Sequence, residues 1–445
     1  MFKVGFITTL SGRWPDELPT RRLKEYGEWL DTNLGNVEVV KCNYIINSPD
    51  ATYQAIDELK KEDIDMIVMV YGAFTGDDIS AAFAEKLGVP ILLWAPYEEK
   101  WDKNDRLYAN ALVALTMNAA SLHRLDLTYH TVYGSKEDSE SANKVKNLVN
   151  AYRVIKALKN THLGLYGYRP TAFYNCAFDE GLIRRTFGIR MEETDLKVIF
   201  DRMQQIDQEE VNKDREFVKS NFEQGDIPDE HWENHSRLYL ALKQAQKDFT
   251  YNYATIKCWP EMGQLKTTPC GVLGRLADAG VHIGCEGDID AMIAGIIQNQ
   301  LTSQPTFITD MINIDQADNT MTFWHCGNAA PSLHNKNHPS IMANHPLAGQ
   351  GTALWGALKP GLVTVARLCN IQGKYKLFIM KGEAVDTDRH TKGVMAVVKI
   401  NTPVKQAVDR IIEEGIPHHY SVVWDDVRDE MIEIAKLLNI EVIEL

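Results

Sequence analysis

The sequence predicts an α/β protein in which doubly wound, parallel-sheet domains are followed by a largely antiparallel β domain. Three observations predict this fold. Residues 1–160 alternate short apolar runs with amphipathic stretches, which is typical of buried parallel strands connected by helices. Residues 161–330 repeat this alternation around a long acidic helical region. Residues 331–445 consist mainly of short β-runs separated by turns, which indicates antiparallel pairing.

The elements follow in order along the chain. The first domain is predicted to contain strands and helices at residues 3–8, 20–34, 37–41, 51–61, 66–70, 79–87 and 90–94. The second should contain strands at 162–166, 251–258, 281–285 and 306–314, helical stretches within 191–248, and a helix at 288–301. The third should contain strands at 361–369, 374–381, 394–400 and 441–444, with one helix at 427–438. In parallel sheets the loops after the strands line the ligand crevice.

Composition excludes several classes of function. The net charge of −14 argues against nucleic-acid binding, which needs a basic face. No apolar run reaches membrane-spanning length, and residues 1–7 are expected to form a strand rather than a signal peptide. The seven cysteines are scattered without a CxxC pair, which favours a reducing cytoplasm. Neither a GxGxxG sequence nor a P-loop follows an early strand, so a nucleotide-dependent enzyme is set aside.

Acidic residues and a histidine near the ends of β-runs are the main candidates for chemistry. Glu286 follows one β-run directly, and Gly287 permits close backbone approach. Asp310 lies in the next β-run, 24 positions later (310 − 286), and a strand–helix–strand unit of that length brings both carboxylates to one sheet edge. Each acid alone is also consistent with a helix cap or a surface group. Asp288 and Asp290 are interpreted as helix-start acids favoured by the macrodipole.

His419 is the candidate third ligand. It lies in a turn that leads into a late β-run, directly after His418. Adjacent side chains point opposite ways in extended backbone, so only one of the two histidines is expected to reach a metal. Two carboxylates and an imidazole suit a hard divalent ion with open coordination positions. A lone histidine, by contrast, would be a core or surface residue.

The Glu286-Gly287-Asp288 segment with its following helix, then Asp310, then the Pro417-His418-His419 segment resembles the L-fucose isomerase and L-arabinose isomerase superfamily. In that superfamily a glutamate from an E-x-D segment, an acidic residue of the next strand and a C-terminal histidine hold the metal. The resemblance covers residues 254–445. It implies Glu286, Asp310 and His419 as metal ligands and Mn²⁺, or a similar divalent cation, as the cofactor.

The resemblance further implies an aldose–ketose isomerase. The metal would lower the cost of negative charge on the sugar's carbonyl oxygen. Glu286 and Asp310 would move a proton between C1 and C2 through a cis-enediol intermediate. Which carboxylate is the base and which the acid stays open. The resemblance also implies a homo-oligomer in which N-terminal loops complete the neighbouring subunit's site.

Other residues at predicted strand ends are candidates for binding the sugar. Each also has a structural interpretation, as a cap, a surface group or a domain contact. If N-terminal loops complete the neighbouring subunit's site, as the resemblance implies, Arg13, Trp14 or Tyr71 would act there. His123 and His130 are expected to be structural. The candidates are Arg13, Trp14, Tyr71, Lys257, Trp259, Glu261, His325 and Asn328.

Two alternatives remain open. The first is an isomerase of an anionic or otherwise modified hexose, for which Arg13 and Lys257 would supply an anion contact. The second is a non-catalytic, cytosolic sugar-binding protein, because the first half resembles the doubly wound lobes of periplasmic sugar-binding proteins. A binding protein has no need of two metal-held carboxylates, so Glu286→Gln separates the two classes: a binder keeps its affinity and an isomerase loses turnover.

Overall fold

The computed structural model describes residues 1–11, 14, 17–99 and 107–445, and it divides into two compact units, residues 1–156 and 157–445. The finer division predicted at residue 330 stays a prediction. Within the described ranges, no helix is long and apolar enough to cross a membrane. All seven cysteines are free thiols.

The first unit alternates strands and helices along the chain: β1 (Phe2–Thr9), α1 (Glu17–Asn33), β2 (Val37–Ile46), α2 (Pro49–Lys61), β3 (Met66–Tyr71), α3 (Asp77–Leu87), β4 (Ile91–Ala95), α4 (Ala111–Arg124), β5 (Tyr129–Tyr133) and α5 (Ser139–Lys159), the last of which continues three residues into the second unit. The sheet order is β2-β1-β3-β4-β5, and every pairing is parallel. This order reverses between β1 and β3, as in doubly wound folds.

Local sequence explains the first unit's elements. Every residue of β3 and β4 is buried, as expected of central parallel strands with continuous apolar runs. Helix α2 begins with the Ser48 hydroxyl capping the Ala51 N–H and with Pro49 in its first turn. Helix α3 is capped at its C-terminus by Gly88, whose backbone adopts the left-handed conformation. The predicted strands and helices of this region are confirmed, whereas α4 and β5 were not predicted.

The second unit opens with a parallel sheet and a set of helices. Its elements are β6 (His162–Tyr166), α6 (Glu180–Phe187), β7 (Arg190–Thr194), α7 (Leu196–Gln205), α8 (Gln208–Asn221), α9 (Asp229–Asp248), β8 (Tyr253–Ile256), α10 (Cys270–Asp278), β9 (His282–Cys285) and α11 (Ile289–Thr302). The strands pair in the order β7-β6-β8-β9, all parallel.

A mixed, mostly antiparallel sheet of nine strands follows. Its elements are β10 (Phe307–Asp315), β11 (Thr320–His325), β12 (Ile341–Ala343), β13 (Ala353–Ala357), β14 (Gly361–Ile371), β15 (Lys374–Ala384), β16 (Val394–Ile400), α12 (Val404–Glu413), β17 (His419–Val423), α13 (Arg428–Leu437) and β18 (Glu441–Glu444). The predicted fold class, parallel sheets followed by a largely antiparallel region, is confirmed.

Six of these strands close into a ring. The order β16-β11-β10-β17-β14-β15 returns to β16 through a further β15–β16 pairing, and all six pairings are antiparallel. Closure removes the exposed edges that an open sheet would leave on these strands. The rings of Phe323, Phe378 and Tyr420 contact edge-on in its buried core. Helix α11 lies against this ring of strands, and its Gln298 amide donates hydrogen bonds to backbone carbonyls of both β14 and β17.

Candidate active site

Glu286 stands in a sharp turn between β9 and α11. The backbones of Glu286 and Gly287 are both left-handed, with φ of +58° and +64°. A Cβ at Gly287 would come within 2.6 Å of the Tyr168 carbonyl oxygen, so the position requires glycine. The turn presents the Glu286 carboxylate at the carboxyl end of β9, where ligands bind in α/β sheets.

Asp310 and His419 are direct neighbours on adjacent strands. They face each other in the antiparallel register of β10 and β17. The His419 Nε2 atom lies 2.8 Å from Glu286 Oε2 and 3.6 Å from Asp310 Oδ1. That Asp310 oxygen is buried and has no hydrogen-bond partner in the described part of the chain. Three side chains far apart in sequence therefore converge around His419 Nε2.

Asp288 holds the other edge of the His419 ring. Its Oδ1 accepts the Ala291 N–H at 2.9 Å and caps α11, as expected of a helix-start acid. Its Oδ2 lies 2.9 Å from His419 Nδ1 and accepts a hydrogen bond from Arg367 at 2.7 Å. Both Asp288 and Arg367 are fully buried. Asp288 therefore also fixes the orientation of the candidate ligand His419.

Asp290 differs from the simple helix-start acid that the sequence suggested. It is buried, and its carboxylate accepts a hydrogen bond from the Tyr375 hydroxyl at 2.8 Å. Burial raises the pKa of Asp290 to about 7, against the opposing charge of Arg367. A carboxyl that is partly neutral near pH 7 complements the helix dipole less than an ionised one.

The charges of the site reinforce one another. Burial would raise the pKa of Glu286, but the hydrogen bond from His419 and the charges of His325 and His419 lower it to about 2. Burial disfavours a charged imidazole, yet hydrogen bonds to Asp288 and Glu286 raise the pKa of His419 well above its ordinary value. The carboxylates thus create a position that favours positive charge.

His418 lies on the same side as His419, contrary to the expectation that the two would point opposite ways. Their ring centroids are 3.9 Å apart. The expectation fails because β17 begins at His419, so His418 belongs to the preceding turn and strand alternation does not reach it. The His418 ring is held by Asn175, whose amide lies 2.6 Å from Nδ1, and by an edge contact with Phe173.

Donor atoms of Glu286, His418 and His419 all lie within 4.8 Å of one another, a spacing that can hold a metal ion. Asp310 adds a further oxygen next to the same imidazole. Oxygen and imidazole donors suit divalent ions such as Mn²⁺.

A cavity of about 340 Å³ opens beside Glu286. Trp259 and His325 line it with Glu286, and the Trp259 indole N–H donates to Glu286 Oε1 at 3.1 Å. A cavity of this size is within the range of small-molecule sites. The remaining wall is largely apolar and contains the thiols of Cys258, Cys270, Cys285 and Cys326. Hydrogen bonds from Cys270, His325 and His345 lower the pKa of the Cys326 thiol.

Three of the other predicted binding residues, all in the second unit, lie outside this cavity. Lys257 and Glu261 form an ion pair with each other at 2.5 Å and border a different, more open depression. Asn328 donates to the Ile308 carbonyl and does not line the 340 Å³ cavity. Trp14 and Tyr71 belong to the first unit, where Tyr71 is fully buried and Trp14 packs against the core. Arg13 lies outside the described residues.

Sequence reasoning missed Arg367, His418 and Cys176 as parts of the site. Arg367 had a detectable signal, because it is a lone charge in the apolar run 361–369. Cys176 lies 3.3 Å from Asp288 Oδ2, and nothing local in the sequence distinguishes it from the other scattered cysteines.

Comparisons with known proteins match the chain at the level of sequence families. Two family models match, "Fucose/sulfoquinovose isomerase, N-terminal domain" at residues 5–159 and "L-fucose isomerase, C-terminal domain" at residues 323–445. The sulfoquinovose isomerase of Priestia megaterium is 24% identical over 416 residues, covering 93% of this chain and 92% of that protein. A protein of the same name from Clostridium sp. (strain MSTE9) is 28% identical over 374 residues, covering 81% and 83%.

Likeness to solved structures adds no argument. A periplasmic solute-binding protein from Actinobacillus succinogenes with bound D-allose is 12% identical, with a TM-score of 0.16 over 68% of this chain and 93% of that one.

The fold and these matches define the class of protein: the chain is an enzyme, an intramolecular oxidoreductase of the aldose–ketose isomerase type. Within that class it belongs to the fucose isomerase-like family. The resemblance inferred from the Glu286, Asp310 and His419 segments is thereby confirmed at the level of the family.

Proposed function

We propose that this chain is a divalent-metal-dependent aldose–ketose isomerase acting on an anionic hexose of the sulfoquinovose type. The observation that carries the proposal is the convergence of Glu286 Oε2 and Asp310 Oδ1 on His419 Nε2, at 2.8 Å and 3.6 Å. The names of the relatives support the substrate class. Metal dependence, mechanism and substrate are the proposed parts.

The residues fit a divalent cation. Asp310 Oδ1 is a buried oxygen without a hydrogen-bond partner in the described chain, and it lies 3.6 Å from the same imidazole nitrogen that Glu286 Oε2 approaches at 2.8 Å. Glu286, Asp310 and His419 would hold the ion, with His418 as a further candidate donor. When bound, Mn²⁺ or a similar ion would stabilise negative charge on the oxygens of the open-chain sugar.

The chain's own groups move the proton. Glu286 and Asp310 both approach the Nε2 edge of His419, so a sugar bound there has one carboxylate within reach to take the proton from one of C1 and C2 and return it to the other, and a second to carry the hydroxyl proton between O1 and O2. The product differs from the substrate only in which of C1 and C2 carries the carbonyl group. Trp259, which is 41% exposed and already bonded to Glu286, offers an aromatic face for the sugar ring.

Arg169 is the candidate for the anionic group. Its guanidinium lies 5.2 Å and 5.6 Å from the ring centroids of Tyr168 and Tyr174, and it forms no salt bridge with any described residue. The backbone of Tyr168 and Arg169 packs against Gly287, next to Glu286. Lys257, the anion contact suggested by the sequence, is already paired with Glu261.

The direct test is an isomerisation assay with sulfoquinovose, Mn²⁺ and the variants Glu286→Gln and Asp310→Asn. Each variant should lose at least about 10²-fold in kcat, the range of general acid–base catalysis. Asp315→Asn is the matched control, because Asp315 is an exposed carboxylate at the far end of the same strand, where it caps a turn. Full activity in either site variant would contradict the proposed roles.

Metal dependence has its own test. Dialysis against EDTA should abolish activity, and added Mn²⁺ should restore it. Activity that persists with no detectable metal would overturn this part of the proposal and leave the family assignment intact.

The substrate class is tested by Arg169→Leu. The variant should raise KM for sulfoquinovose about tenfold or more, since hydrogen bonds to charged groups contribute about 1.5–3 kcal/mol, and it should leave the kinetics with a neutral aldose unchanged. Arg190→Leu is the control, because Arg190 is exposed and pairs with Glu192 on β7. Equal effects on charged and neutral sugars would contradict a role in anion recognition.

A further inference from the structure

Four of the seven cysteines gather in the wall of one cavity. Cys258, Cys270, Cys285 and Cys326 line it, together with His345. Two of the other cysteines have individual acceptors instead: the Cys42 thiol faces Glu58, and the Cys369 thiol faces the Lys376 carbonyl. The concentration of thiols therefore distinguishes this cavity from the rest of the buried core.

Within this wall, three donor atoms approach one another closely. The sulfur atoms of Cys270 and Cys326 and a ring nitrogen of His345 all lie within 4.8 Å of each other. Ligands of a tetrahedral zinc ion are roughly 3.5–3.8 Å apart, given Zn–S and Zn–N bonds of about 2.3 and 2.0 Å. Small side-chain adjustments therefore suffice to bring the three atoms onto one ion.

The three residues come from separate parts of the fold. Cys270 is the first residue of α10, Cys326 follows β11, and His345 lies in the loop after β12. Cys270 is buried and the other two are partly exposed, so an ion could enter from the cavity. Two thiols and one imidazole form a soft donor set, unlike the carboxylates around His419.

We propose that Cys270, Cys326 and His345 form a second metal site, selective for a thiophilic ion such as Zn²⁺, with its fourth coordination position open to the cavity. Three protein ligands and one open position are the pattern of zinc sites that keep an exchangeable ligand. The cavity would then have two metal sites of different hardness in its walls.

The surroundings of His345 determine what binding requires. Its Nδ1 accepts the backbone N–H groups of Leu347 and Ala348 at 3.3 Å and 3.1 Å, so the proton of the neutral ring is on Nε2. An ion at Nε2 requires the ring proton to move to Nδ1, which then gives up the two long backbone hydrogen bonds; an ion at Nδ1 displaces the same two hydrogen bonds and leaves the proton on Nε2. Because Leu347 is 75% exposed, this turn can adjust without disturbing the core.

The two proposed sites also lie close together. Cys258 contacts one group of ligands and shares a cavity with the other: its sulfur is 3.8 Å from Glu286 Oε1, and it lines the same wall as Cys270 and Cys326. A thiophilic ion in the second site would change the shape and charge of the space in which a sugar would bind. Zinc should therefore act on the enzyme in a manner distinct from replacement of Mn²⁺.

Cobalt provides the test, because Co²⁺ bound by thiolates has a ligand-to-metal charge-transfer absorption that carboxylate and imidazole ligands do not give. The full chain titrated with Co²⁺ should develop this band, and excess Zn²⁺ should remove it. Cys270→Ser and Cys326→Ser should each abolish it. Cys369→Ser is the matched control and should retain it, because this buried thiol has its own carbonyl acceptor.

Two further variants keep the outcome clear. His345→Asn alters the surface turn rather than the buried core, so it should weaken the band even if Cys270→Ser does not fold. Glu286→Gln should leave the band intact, which separates this site from the proposed catalytic metal. No band in the wild-type chain, or a band that survives both cysteine substitutions, would overturn the inference, and loss of the band in Cys369→Ser would do the same.

Discussion

Asp288 connects the buried guanidinium of Arg367 to the candidate metal ligand His419. It accepts a hydrogen bond from Arg367 and holds the Nδ1 edge of His419, and both of its partners are fully buried. A carboxylate behind a metal-binding histidine fixes the tautomer and orientation of the ring. Asp288 would thus act on the metal through His419 without touching the ion.

Asp288→Asn should therefore weaken Mn²⁺ affinity about 10- to 100-fold, the range for residues that support a metal ligand. It should also destabilise the chain by about 3–5 kcal/mol, because Arg367 would lose its counter-charge in a buried position. Metal titration and urea unfolding measure the two effects. In the double variant Asp288→Asn with Arg367→Met, stability should recover while metal affinity stays low. Equal recovery of both would argue against an orienting role.

Sequence predictability differs among these residues. Glu286 and Asp310 could be found because each is an acid next to an apolar run, where strand ends meet a crevice. The second role of Asp288 could not, since its contacts come from residues 79 and 131 positions away in the chain. His418 was misjudged because the start of β17 cannot be fixed to one residue from the pattern alone.

At the scale of elements, His334 illustrates how a loop responds to pH. It is buried where the segment after β11 meets Leu358, and neither ring nitrogen has a partner in the described chain. Burial lowers the pKa of His334 to about 4. In the unfolded chain the pKa of a histidine is about 6.5. Between that pH and about 4, the unfolded chain therefore binds a proton at His334, whereas the folded chain does not.

The stability associated with neutral His334 is therefore present above pH 6.5 and is lost as the pH falls toward 4. The loss should reach about 3 kcal/mol, at about 1.4 kcal/mol per pH unit. His334→Leu should reduce the slope of unfolding free energy between pH 6.5 and 4, measured by urea titration of the full chain. His390→Leu, at an exposed histidine, is the control and should leave the slope unchanged. An unaltered slope in His334→Leu would contradict the assignment.

Elements with continuous apolar runs were predictable, and those with mixed patterns were not. Strands β3 and β4 are wholly buried, so their sequences are apolar throughout. Strand β5 is only partly buried and its sequence alternates irregularly, which hid it. The closed ring was beyond prediction, because the β15–β16 pairing that closes it depends on long-range register rather than on local sequence.

At the scale of the whole molecule, the family resemblance implies a homo-oligomer with sites completed in trans, and this stays a prediction. Light scattering should show an assembly larger than the 50.4 kDa chain. The variants Arg13→Ala and Glu286→Gln should each be inactive alone. When the two proteins are mixed and their subunits exchange at random, about a quarter of the sites should combine an intact N-terminal part of one chain with an intact C-terminal part of the other, so about a quarter of wild-type activity should return. A mixture of Glu286→Gln with Asp310→Asn is the control and should stay inactive, because both changes lie in residues 157–445. A fully active monomer would refute the prediction.

The pairing of Asp310 with His419 has a consequence for insertions and deletions. A single extra residue within β10 or β17 would shift the register by one and turn one of these side chains to the opposite face of the sheet. The turn at residues 316–319, which joins β10 to β11, carries no such constraint. Length variation that preserves activity should therefore accumulate in that turn, whereas the two paired strands should tolerate substitutions far better than any change in their number of residues.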